Sequence, residues 1–244
     1  MPNYHPYFAD LVLLMHLDGD VVDNSPLGQG FVNTGCTFRD SGPFKAAADI
    51  NGTNPGGGGN NNIQSSLARA EYDFSIGDLT FEAFVTPASR AANGAGGRPI
   101  VAFTTLGSGV GNGGVVFSLY GDQTGTYLRF DSNGTFTLAS STASVYLTPG
   151  VRYHVAATRQ GTTTRLFVNG VLVASSTGDA GGGGFAWRYA AVGNLPGLSQ
   201  ALHGAVDEVS ACHRCLWTAS FIPPTEPYES YWPAACRAWP AGMA

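Results

Sequence analysis

Residues 204–215 read GAVDEVSACHRC, placing Asp207 and Glu208 side by side just ahead of Cys212, His213 and Cys215. Two carboxyl groups facing one bond could do general acid/base or nucleophilic chemistry. On a strand, however, adjacent side chains point to opposite faces. The expectation is therefore that Asp207 and Glu208 cannot flank one substrate bond. The cysteine–histidine cluster could be half of a zinc site, which needs four ligands and usually a second such pair. Cys36 and Cys236 are the remaining thiols and they form no second pair. These cysteines are expected to be reduced thiols.

Three further groupings could bind something. Asp18, Asp20 and Asp23, with Asn24, gather hard oxygen ligands in a short span of the kind calcium prefers, although the spacing is not that of an EF-hand. Asp residues also cap turns, and that reading of the same residues stays open. Trp187 and Tyr189 follow a glycine-rich stretch, and Tyr120 stands beside Asp122 and Gln123. Aromatic faces with polar groups at a loop edge suit a sugar. The alternative is that the same aromatics cap the domain or bury in a neighbouring subunit.

The elements that would position these residues are strands. Strand-like runs fall at 11–17, 79–87, 99–106, 114–120, 127–132, 135–141, 152–159, 164–175, 188–193 and 202–211, separated by Gly, Asn, Pro and Ser. In TRLFV, Leu166 and Val168 alternate with Arg165 and Phe167; in RYHVAATR, Tyr153, Val155 and Ala157 alternate with His154, Ala156 and Thr158. Asn133-Gly134 and Asn169-Gly170 predict two tight hairpins, because both residues accept positive φ. No segment keeps a helical apolar period. The glycine-rich 107–114 stretch is followed by no helix, so it is no phosphate loop.

The chain has 244 residues, of which 43% are hydrophobic, enough for one large all-β core. The formal net charge of −5, with no basic run, argues against nucleic-acid binding. The short apolar run after the N-terminus contains His16 and ends in Asp18, which predicts neither a signal peptide nor a membrane span. Five prolines after Leu216 predict an extended arm. The expected fold is all-β, a two-sheet antiparallel jelly-roll sandwich. It is divided into an N-terminal arm (1–10), the sandwich (11–211) and an extended Pro- and aromatic-rich C-terminal arm (212–244).

Several motifs stand in one order: LVLLMHLDGD, YDFSIGDLTFEAFVTP, LTPGVRYHVAATRQGTTTRLFVNGVLVASST and GAVDEVS followed by TASFIPPTEPY. In that order the chain resembles the concanavalin A-like lectin/glucanase superfamily. It is most similar to the laminin-G-like domains of tailed-bacteriophage virion and tail-fibre proteins, over roughly residues 6–230. The resemblance implies a concave face or rim loops that bind sugars, and a structural calcium ion. Asp207 of the closing strand would hold that ion, with Asp18 as its partner. His16 and His154 fall at family strand positions and are expected to be structural. The family's glucanases carry Glu-x-Asp-x-x-Glu on a strand; here Glu71-Tyr72-Asp73 is followed by Ile76, and Glu82 stands alone. No catalytic residue is assigned.

The function so implied is a non-enzymatic virion component, on a tail fibre, spike or capsid, made in the host cytoplasm and present as a homo-oligomer or in many copies. It would contact host glycans or neighbouring virion proteins. A free lectin, or a degenerate glycan hydrolase, is the alternative.

Overall fold

The structure, a computed structural model, describes residues 7–40, 42–51, 61–89, 97–105, 114–132, 134–179, 181, 188–195 and 201–228. Among these, fifteen strands form two antiparallel sheets. In chain order they are β1 (Leu11–Met15), β2 (Phe31–Thr34), β3 (Thr37–Arg39), β4 (Ala47–Asn51), β5 (Asn62–Ser65), β6 (Leu79–Pro87), β7 (Arg98–Thr104) and β8 (Val115–Gly121). The rest are β9 (Thr126–Ser132), β10 (Phe136–Ala139), β11 (Tyr153–Gln160), β12 (Thr163–Val168), β13 (Val171–Thr177), β14 (Tyr189–Val192) and β15 (His203–Cys212). The larger sheet runs β13-β12-β11-β6-β15-β4-β3, with β1 also paired to β15; the smaller runs β10-β9-β8-β7-β14-β5-β2.

The expected sandwich is therefore present. Alternation works as the sequence predicts: Val155 and Ala157 join Leu166 and Val168 in the core, and His154 and Phe167 lie on the outer face. Between the sheets, Phe74 packs on Phe81 and Phe103 at centroid distances of 4.8 and 4.6 Å. Asn169 and Gly170 take φ of +48° and +74°, the two positive values that the tight hairpin between β12 and β13 requires. Four strands, β2 to β5, form where the sequence predicts none.

One buried cation ties the sheets together at a rim. Arg159, 1% exposed, donates to the Gly77 and Phe74 carbonyls at 2.8 and 2.7 Å and to Asp179 at 3.2 Å. Its Nη1 also reaches the Ser132 hydroxyl at the end of β9. Asp179 accepts in addition from Thr164. A buried charge is tolerable only when its hydrogen-bonding capacity is met in this way.

After β15 the chain crosses the outer face of the larger sheet. Thr80 donates to the Arg214 carbonyl and accepts from Leu216, Thr158 donates to the Trp217 carbonyl, and the Phe221 N–H donates to Gly170. Trp217 and Phe221 stack at 3.8 Å and meet Phe167 and His154 edge-on. Residues 213–228 are thus laid along the sandwich, and the rest of the expected arm lies outside the described residues.

Gly170 is where this crossing is closest. A Cβ there would fall 2.0 Å from the Phe221 carbonyl oxygen, whereas at Gly161, φ +55°, it would meet nothing within 4 Å. Gly161→Ala should cost only the left-handed backbone penalty, about 1–2 kcal/mol. Gly170→Ala should cost roughly 2–4 kcal/mol, since it also displaces the arm and its hydrogen bond. Equal losses in urea denaturation would show that the arm contributes nothing at this contact.

Candidate functional site

On the outer face of the smaller sheet, β8 and β9 present Tyr120 directly opposite Tyr127, their rings 6.1 Å apart. The connection between them is tight because Asp122 Oδ1 accepts the Thr124 and Gly125 N–H groups at 2.7 and 3.0 Å. Two residues along β9, Arg129 lies with its guanidinium carbon 4.2 Å from the Tyr120 ring centroid. It is held there by Asp131, which accepts from Nε and Nη2 at 2.7–2.9 Å, while Thr137 on β10 donates to the same carboxylate. Burial lowers the Arg129 pKa, but the Asp131 pair outweighs it and the guanidinium stays charged. Tyr146 donates to Asp122 Oδ2 at 3.0 Å and packs edge-on to Tyr127.

The result is a strip of three half-buried tyrosines with a fixed ion pair and the exposed Gln123 at its end. Beside it, Leu195 covers Ala102 and Val116, closing that part of the same face. Of the residues expected to bind a ligand, Tyr120, Asp122 and Gln123 come together here. Tyr189 does not: it pairs with Thr104, at the end of the sheet away from Tyr120, about 20 Å along the strands. Trp187 lies outside the described residues. Tyr127, Arg129, Asp131 and Tyr146 were not predicted. The register of the β8–β9 hairpin, which sets Tyr127 opposite Tyr120, is the signal that finds the first of them.

The carboxylates of β15 overturn one expectation. Between Asp207 and Ser210 the pairing with β6 shifts by one residue, and Glu208 takes φ +47°. That bulge breaks the alternation. Val206 and Val209 both face the core, so Asp207 and Glu208 share the outer face and do not oppose each other. Glu208 pairs with His16 Nδ1 at 3.0 Å. Glu82, expected to stand alone, accepts from Ser210 at 2.8 Å, pairs with His154 at 3.1 Å and bonds the Tyr228 hydroxyl. In this order the carboxylate sits between serine and histidine, so His154 bonds Glu82 and does not face the Ser210 hydroxyl as it would in a serine–histidine pair. Pro224, Glu226 and Tyr228 of the arm lie over these groups.

Asp207 is different. It is 2% exposed, and neither oxygen has a hydrogen-bond partner of normal geometry. Burial first, and then the Glu208 charge, push its pKa up to about 8. Asp18, its expected partner for calcium, accepts the Ala46 N–H and lies 3.9 Å from Lys45. Among the described residues no three His, Cys, Asp or Glu side chains gather as a metal-ligand set. Asp23, by contrast, is a turn cap: it accepts from Leu14, Ser25 and Gln29 backbone N–H groups. Asp20 caps Val22.

The cysteine–histidine cluster disperses as well. His213 donates to the Glu71 carbonyl and stacks on Phe74, while Cys212 is buried on the outer face beside Tyr228. Burial pushes the Cys36 and Cys212 thiols up to about 12, so both are protonated and unreactive.

A family model described as the concanavalin A-like lectin/glucanases superfamily matches residues 57–220. No curated protein matches the chain. Among solved structures, domain 4 of AbnA, a GH43 extracellular arabinanase from Geobacillus stearothermophilus, in complex with arabinotriose, aligns at a TM-score of 0.59 and 16% identity. The alignment covers 86% of this chain and 95% of that one. The native heptameric SAP-like pentraxin from Limulus polyphemus aligns at 0.52 and 17%, covering 70% and 76% of the two chains. The binding domain of botulinum neurotoxin DC in complex with SialylT aligns at 0.58 and 12%, covering 86% of this chain and 49% of that one. At these identities the likeness is one of fold.

The bulge makes a testable statement about pH. The pKa values of Asp207, Glu208 and His16 are all raised on folding. For Glu208 burial is the main cause; for His16 burial acts against the shift, and the bond to Glu208 outweighs it. Each raised group binds its proton more tightly when folded, so stability falls as pH climbs through its folded pKa. The melting temperature should drop between about pH 4 and 9, by a free energy on the order of a few kcal/mol. Asp207→Asn, which is neutral throughout, should flatten the profile and melt higher than the native chain at pH 9. A lower melt for Asp207→Asn, together with EDTA sensitivity of the native chain, would instead show an ionised Asp207 holding a metal.

Proposed function

We propose, from the premise that the chain belongs to the concanavalin A-like lectin/glucanases superfamily, that it is a non-enzymatic binding module whose working surface is the tyrosine strip of β8 and β9. The observation that carries this is the prior assembly of the strip. Tyr120 is held by Arg129, Arg129 by Asp131, and Tyr146 by Asp122. Ligand binding there need not order side chains that are already fixed. The carboxylates that could have served a hydrolase, Glu82 and Glu208, are engaged by His154, Ser210 and His16 beneath the arm. Relatives in the fold include a domain in complex with arabinotriose and one in complex with SialylT, which supports a glycan as the ligand.

The motif order of the chain supports a setting on a bacteriophage particle. There the module would be carried in many copies on a tail fibre, spike or capsid and would hold host glycans or neighbouring virion proteins. Repeated copies turn weak single-site binding into firm attachment, so a shallow strip suffices.

Two measurements check this reading. On a glycan array the native chain should give reproducible binding, and Tyr127→Ala, with an unchanged melting curve, should weaken it about tenfold, equivalent to ~1.4 kcal/mol. Retention of full binding by that variant would move the site elsewhere. Mass spectrometry of purified particles from the genome that encodes the chain should find it at stoichiometric level. Its absence from the particle would remove the virion setting and leave a free lectin.

A further inference from the structure

We infer that the strip selects uncharged, polyhydroxylated sugar rings and rejects sugars that carry a carboxylate. This deepens the glycan-binding reading above and rests on it.

The selection follows from how Arg129, the cation of the strip among the described residues, is used. Acidic sugars are normally held by an arginine that offers two parallel N–H groups to the ligand carboxylate. In Arg129 the Nε–Nη2 edge of that fork is already taken. Nε reaches both oxygens of Asp131, at 2.9 and 2.8 Å, and Nη2 reaches Oδ1 at 2.7 Å. Nη2 also lies 3.4 Å from the Thr137 hydroxyl, and the Tyr127 hydroxyl takes a further bond from the same side chain. The plane of the guanidinium is occupied too, since its central carbon lies over the Tyr120 ring. Asp131 is 3% exposed and Thr137 donates to it from the neighbouring strand, so the pair is fixed from both sides.

Charge counting agrees. Among the described residues the strip carries two carboxylates, Asp122 and Asp131, and one guanidinium, Arg129, a net negative balance. A ligand carboxylate brought here would meet Asp122 at the turn and gain no fork in exchange. What the strip does offer suits neutral rings. The tyrosines present aromatic surface to the apolar C–H face of a sugar, and the exposed Gln123 amide can both donate to and accept from hydroxyls. Arg129 and Asp131 are thus positioning residues: they hold the Tyr120 ring, and the guanidinium edge that would grip a carboxylate side-on is spent on Asp131.

The test uses the intact chain and matched oligosaccharide pairs. Each pair shares one core, ending either in a neutral hexose or pentose or in the same core capped by sialic or glucuronic acid. The native chain should bind the neutral member at least tenfold better, and that binding should change little between 50 and 500 mM NaCl. Asp131→Asn, with its fold verified by melting, should free the Arg129 fork and raise the response to the acidic member relative to the neutral one. Equal or stronger binding of the acidic member by the native chain overturns the inference while leaving the glycan reading intact. Failure to bind either member of any pair overturns both. A panel response unchanged by Asp131→Asn, in a folded variant, overturns the role given to the Arg129–Asp131 pair.

Discussion

Strand β15 keeps β6 on one side for its whole length but must change partner on the other, from β4 at residues 203–206 to β1 at 209–212. The extra residue in the bulge falls at that change of partner. A regular strand would send Glu208 into the core between Val206 and Ala211, where an unpaired carboxylate would be very costly. Turning Glu208 to φ +47° keeps Val206 and Val209 in the core and places both acids outside it. A left-handed conformation at a residue with a side chain costs about 1 kcal/mol or more. The core contacts on both sides of the bulge offset it.

That placement then dictates what covers the outer face. Glu82, Glu208 and Asp207 on neighbouring strands would otherwise be three acids on one apolar-flanked surface. His154 bonds Glu82, His16 bonds Glu208, Ser210 and Tyr228 supply further hydrogen bonds, and the arm supplies burial. The stacked Trp217 and Phe221 anchor the arm at the hairpin end, while Tyr228 anchors it near β1 and β15. Pairing makes the buried charges tolerable without making them strongly stabilising. Removing one member, by contrast, would strand its partner.

Legibility in the sequence followed the range of the interaction. The Asn169-Gly170 hairpin, the alternation of β11 and β12, and the two-sheet fold were readable because each depends on residues a few positions apart. β2 to β5 were not, because FVNT, TFR, AADIN and NIQS are short and carry few alternating apolar residues; their place is set by the strands beside them. The bulge was invisible because Glu208 is not a glycine, and the need for positive φ arises only from β4 and β1 meeting β15. The same limit applied to the site. Tyr120, Asp122 and Gln123 are neighbours in the sequence and can be grouped from it, whereas Tyr146 and Asp131 join them through strand pairing and a turn contact.

These constraints also bear on why the surface proposed for recognition lies on the smaller sheet. The larger sheet spends its outer face on the arm, so Phe167 of the sheet and Trp217 and Phe221 of the arm are committed to one another. On the smaller sheet, among the described residues, Leu195 closes the part over Ala102 and Val116. The tyrosines of β8 and β9 stay half-buried there, with Gly97 against the Tyr120 ring and an internal ion pair to orient them. Half-buried aromatic residues tied to a fixed charge on the outer face contribute little to core packing, since the core beneath them is already filled by Phe117, Leu119, Leu128 and Phe130. Their arrangement is therefore better explained by what lands on the face than by what lies under it.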